Sequence, residues 1–138
     1  VELLTKSVER PNGIGLSPDG KTLYVAQSHP EQPTITAFSV DSDGTLGKGK
    51  PFFDATRHQG PRIFGNPDGL KVDAEGNVWA SGPGGIFILN SKGNLLGRIL
   101  TGEKTSNCAF GGADGSMLYI TADTYVLRVQ TKVKGIGF

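Results

Sequence analysis

Asn12, Asp68 and Asn107 hold the same place in three similar stretches, Pro11-Asn12-Gly13-Ile14, Pro67-Asp68-Gly69-Leu70 and Ser106-Asn107-Cys108-Ala109. An asparagine amide oxygen and an aspartate carboxylate are hard donors, the kind Ca²⁺ gathers in sets of about six to eight and Zn²⁺ takes less readily. The same residue types also cap turns and tolerate unusual backbone angles ahead of glycine. Spacing alone therefore leaves metal binding and turn capping both open.

Other groups offer less. Asp41-Ser-Asp43-Gly44 has the start of a calcium loop, but the position eleven residues after Asp41 is Phe52 where an EF-hand needs glutamate, so it reads as a turn. His29 and His58 have no partner at metal or triad spacing. Ser17, Ser28 and Ser81 lack the Gly-x-Ser-x-Gly setting of a serine hydrolase. Arg57, His58 and Arg62 fall in the long aperiodic stretch Asp54–Asn66, where either a solvated basic loop or a ligand-lining one is consistent with the sequence. Cys108 opens an apolar run and reads as a small buried residue rather than a nucleophile.

The elements that must position the three donors form a repeat. Asp19-Gly20, Glu75-Gly76 and Asp114-Gly115 lie seven and eight residues after Asn12, Asp68 and Asn107. Each acidic-Gly turn is followed by an apolar-aromatic strand, Leu23-Tyr24-Val25, Val78-Trp79-Ala80 or Leu118-Tyr119-Ile120. Strand, tight turn, strand at a fixed period is the pattern of propeller blades. The fold class expected is all-β, a β-propeller segment of about three four-stranded blades at approximately 11–55, 66–101 and 106–131. The third blade offers three strands before Lys132–Phe138 trails off in glycines, and Val1–Thr5 is the surplus strand that would close a blade. In a propeller the first strand of each blade lines the channel, which puts Asn12, Asp68 and Asn107 at its mouth. Trp79, Tyr24 and Tyr119 share one repeat position and read as packing residues between blades.

Composition agrees with this class. The chain has 138 residues, 36% hydrophobic and 20% charged, and its 21 glycines and 8 prolines suit many short strands joined by tight turns. Fourteen basic against thirteen acidic residues, without a basic cluster, give no footprint for nucleic acid or an anionic membrane surface. No apolar run reaches the length of a membrane helix, so a soluble protein is expected. One cysteine excludes an intrachain disulfide and leaves cytoplasm and periplasm equally open. The chain opens on Val1 and its one methionine is Met117, so processing or truncation of a longer product is expected.

Arg10-Pro11-Asn12-Gly13-Ile14 with Leu16-Ser17-Pro18-Asp19-Gly20-Lys21-Thr22-Leu23-Tyr24-Val25, and Pro67-Asp68-Gly69-Leu70-Lys71-Val72-Asp73 with Gly76-Asn77-Val78-Trp79-Ala80, resemble the gluconolactonase/regucalcin (senescence marker protein) family. The likeness continues through Cys108-Ala109-Phe110-Gly111-Gly112 to Arg128-Val129 and covers the C-terminal half of that family. It implies half of a six-bladed propeller, a calcium-dependent or other divalent-metal lactonase activity on a sugar lactone, Asn12 and Asp68 as two metal ligands, and Asp68 as the catalytic base. The family's remaining ligands, a glutamate and a second asparagine, lie in a half this chain does not have. Three blades leave two open faces, so a homodimer forming a six-bladed ring is expected, with Val1–Thr5 of one copy completing the third blade of the other. A non-enzymatic binding propeller and an inactive fragment are the competing readings.

Overall fold

A computed structural model describes residues 1–138. Eleven strands form three antiparallel sheets. The first sheet is β1 (Pro11–Leu16), β2 (Thr22–Gln27), β3 (Thr34–Ser39) and β4 (Lys50–Asp54), in that spatial order. The second is β5 (Leu70–Val72), β6 (Val78–Gly82), β7 (Gly85–Leu89) and β8 (Leu95–Leu100), again in sequence order. The third holds β9 (Thr105–Gly111), β10 (Met117–Ala122) and β11 (Tyr125–Gln130), with no fourth strand. These are three meanders, the expected blades.

The hairpins form because each turn carries an acceptor that satisfies the main chain. Asp19 accepts from the Lys21 amide and the Ser17 hydroxyl, Asp43 from Thr45, Asn90 from the Lys92 and Asn94 amides, and Asp114 from Ser116. Side chains of this length close a turn onto their own backbone, which fixes the strand register on either side.

The same device is buried in the second sheet. Asp73, fully shielded from solvent, accepts from the Glu75 and Asn77 amides, from the Asn77 side chain and, at 2.9 Å, from the Trp79 indole. A buried carboxylate survives only when it is this fully hydrogen-bonded. It clamps β5 to β6 and sets the Trp79 ring edge-on to Phe110 of the third sheet, with ring centroids 5.4 Å apart.

Two apolar clusters join the sheets. Tyr24, Ala26 and Ile35 from the first sheet meet Leu70, Val72, Val78, Phe87 and Leu89 from the second. Trp79 and Ile86 meet Cys108, Leu118 and Ile120 across the next seam. Each fully buried large side chain contributes about 1.5–3 kcal/mol. The cores thus lie between sheets, and the inner strands β1, β5 and β9 run side by side.

Val1–Thr5 carries no strand in the single chain and makes no backbone–backbone hydrogen bond there; its expected pairing is with another copy. Lys132–Phe138 does not trail away but folds back under the inner strands. The Ala74 amide donates to the Lys134 carbonyl, the Gly135 amide donates to the Gly115 carbonyl, and Gly135 bridges Asp73. Ile136 and Phe138 then help line a cavity of about 510 Å³ beside Ile14, Leu16, Leu70 and Phe110. The stretch Asp54–Asn66 is also partly structured, with a 3-10 turn at Thr56–His58 and a bridge from Gly60 to Ile63.

Candidate functional site at the channel mouth

Asn12 lies in β1, Asp68 two residues before β5 and Asn107 in β9, so the three residues singled out by the repeat stand in or just before three adjacent inner strands. The glycines that follow them explain the close approach. A β-carbon at Gly13 would overlap the Asp68 carbonyl oxygen, and one at Gly69 would overlap the Asn107 side chain. The Gly69 amide donates to the Ser106 carbonyl at 2.7 Å, and the Ser81 amide to the Gly69 carbonyl at 2.9 Å. Neighbouring inner strands therefore touch through main chain at the level of the donors.

Asp68 is half-buried, and its carboxyl is raised above the ordinary value of 3.8. Loss of solvent is the largest cause; the positive charge of Lys104 and a polar contact from the Asn12 amide oppose it without cancelling it. A carboxylate held in this state is both a better proton acceptor near neutral pH and a group that a cation would stabilise.

Asn107 is less available. Its Oδ1 accepts from the Cys108 amide at 2.9 Å and from Lys71 Nζ at 3.3 Å, and that ammonium also donates to the Leu70 carbonyl at 3.0 Å. The third repeat residue is thus engaged in fixing β9 beside β5. Lys71 and Lys104 were not among the sequence candidates. The repeat gave no reason to connect Lys104 with Asp68 or Lys71 with Asn107, since Lys104 comes from the linker of the next blade.

The donor set decides what could be held here. Nowhere in the chain do three or more His, Cys, Asp or Glu side chains gather as a metal cage. Asn12 and Asp68 supply an amide oxygen and one carboxylate, which fit a hard cation such as Ca²⁺ as two of its ligands but do not complete its usual six to eight. The other candidates lie elsewhere. His29 pairs with Glu9 at 3.7 Å, and His58 packs on Phe53 and Phe87, where burial lowers its pKa with help from Arg98 and Arg57. Cys108 is buried against the Trp79 carbonyl, its thiol pushed up to about 11 chiefly by loss of solvent.

Residues 1–124 match the family model for the SMP-30/Gluconolactonase/LRE-like region. The chain belongs to this family. Its sequence is 42% identical over 144 aligned positions to the gluconolactonase of Zymomonas mobilis, an alignment covering 98% of this chain and 38% of that protein. It is 34% identical to regucalcin of Xenopus laevis, covering 83% of this chain and 38% of that one. Among solved structures, a gluconolactonase of Xanthomonas campestris superposes with a TM-score of 0.74 at 37% identity, covering 89% of this chain and 38% of that chain. A calcium-binding regucalcin of Agrobacterium tumefaciens superposes with a TM-score of 0.78 at 27% identity, covering 96% and 49%. This family member therefore spans well under two thirds of its relatives' length, and its three sheets are propeller blades like theirs.

Proposed function

We propose that the chain forms part of a metal-dependent lactonase acting on sugar lactones, with Asn12 and Asp68 holding a divalent cation, Ca²⁺ by donor type, and Asp68 also serving as general base. The observation that carries this is the half-buried Asp68 carboxyl, raised by loss of solvent and faced by Asn12 on the adjacent inner strand, in a relative of a gluconolactonase. When bound, the cation would polarise the lactone carbonyl and acidify water. Asp68 accepts the proton of the attacking water at its carboxylate, an acceptor whose raised pKa brings it closer to the working pH. Lys104 keeps that carboxylate ionised enough to act, and Lys71 fixes Asn107 so that the third inner strand keeps its place beside Asp68.

Three blades do not close a ring. We infer that the site is completed by further blades, either a second copy in a six-bladed homodimer or a missing half. The test is hydrolysis of glucono-δ-lactone by a sample whose mass shows a closed ring, with and without Ca²⁺. Metal-dependent turnover that chelator abolishes is the expected result, and its absence in such a sample overturns the reading. Calorimetry with Ca²⁺ then separates the binding-module alternative, which predicts no specific heat and no change on Asp68→Ala.

A further inference from the structure

Arg98, in β8, is a cation without an ionic partner. Its guanidinium carbon sits 4.5 Å from the centre of the Phe87 ring, and its Nη2 donates to the Pro83 carbonyl. Nε is shut off from solvent and has no acceptor, and Nη1 makes no hydrogen bond within the protein. The chain's one contact within 4.0 Å between a basic side chain and a carboxylate is His29 with Glu9, so no carboxylate lies within 4.0 Å of Arg98. A half-buried guanidinium usually has an acid or several carbonyls around it, because its charge is expensive to withdraw from water.

The head of Arg98 opens into a cavity of about 260 Å³ that it shares with Arg62, Phe64, Gly84, Leu100 and Glu103. Gly84 makes the space, since a β-carbon there would lie 3.1 Å from Arg98 Nη2. Every lining residue falls between positions 62 and 103, so all of the walls described come from this chain. Its walls are joined through the chain to the candidate site. The Phe64 wall is the start of the loop that ends at Asp68, and the Gly84 amide pins it by donating to the Phe64 carbonyl at 2.9 Å. Glu103 is the one acid on the wall, set against two arginines, and Lys104 follows it in the chain.

We propose that this cavity is an oxyanion-binding subsite, in which Arg98 and Arg62 hold a carboxylate or phosphate group. Planar guanidinium groups match the oxygen geometry of both anions, and the Phe87 ring beneath the Arg98 guanidinium holds that head in place at the cavity wall. In so far as it rests on the lactonase reading, it assigns the substrate class as lactones bearing an acidic group distant from the ring carbonyl.

The experiment uses the full ¹⁵N-labelled chain, with no metal and no lactone present. Sodium phosphate and, separately, sodium acetate are titrated at constant ionic strength while the Arg98 Nε–H and Gly84 amide signals are followed. At least one anion is expected to give a saturable shift of both signals, with affinity weakened about tenfold or more by Arg98→Lys and by Arg62→Ala. Saturation by phosphate alone points to a phosphoryl ligand; saturation by acetate points to a carboxylate. Shifts that stay linear for both anions, or a saturable shift that survives both substitutions unchanged, would overturn the proposal. Arg62 is exposed, so its substitution reports on binding even if Arg98→Lys perturbs the fold. Failure of lactone hydrolysis would leave this result standing, and failure here would leave the lactonase reading intact.

Discussion

Under the proposed function, Asp68 is placed where catalysis and stability oppose each other. Its folded pKa lies above the unfolded value of 3.8, so the folded chain holds that proton more tightly. The stabilisation from protonation is complete below 3.8 and is lost as pH rises through the folded value; above it, the ionised carboxylate is a net cost. Asp68→Asn is therefore expected to raise the thermal midpoint at neutral pH in metal-free buffer while reducing turnover roughly 10²–10⁴-fold. A midpoint that falls would contradict the assignment of desolvation as the dominant cause. Cys108 gives a second residue-scale test. With its thiol near 11 and buried, it should resist a disulfide reagent in the native protein and react on unfolding. The positions of Asn12 and Asp68 were legible in the sequence because a repeat places equivalent residues at equivalent points. Lys104 and Arg98 were not, because what matters in each is a contact made across elements, with no motif to announce it.

Strands and turns were legible almost throughout, since acidic-Gly turns and alternating apolar residues state register locally. The C-terminal end was not legible for a physical reason: a segment needs a neighbour, and sequence does not show where an unpaired one will find it. Val1–Thr5 finds none here, whereas Lys132–Phe138 finds Ala74 and Gly115. At this scale the Asp73 clamp is the sharpest prediction. Asp73→Ala leaves the buried Trp79 indole without an acceptor and should cost about 3 kcal/mol or more, read as a lower denaturant midpoint. Gly13→Ala should also destabilise, and should weaken Ca²⁺ binding in the same protein, because the added methyl drives β1 away from Asp68. A Gly13→Ala protein that binds Ca²⁺ as tightly as the parent would show that the two donors do not act together.

Three sheets stacked in an arc leave the third with an open face. Tyr119, Val126 and Ala109 lie on it, and Val126 keeps 77% of its surface exposed. A patch of this kind favours association. Light scattering at micromolar concentration should give twice the chain mass, and Val126→Asp should return it to the single mass. A monomer that unfolds cooperatively on its own would rule out the two-copy ring.

The contacts between inner strands have a further consequence. At Gly13 the limiting neighbours are the Asp68 carbonyl and the Leu70 amide, atoms that every amino acid brings with it. At this one point the spacing is gauged by main chain and holds whatever side chains the Asp68 and Leu70 positions carry, provided the glycine is kept. The inner edges of the first two sheets are thus staves cut to one width, while the apolar cluster behind them decides which blade can stand next to which.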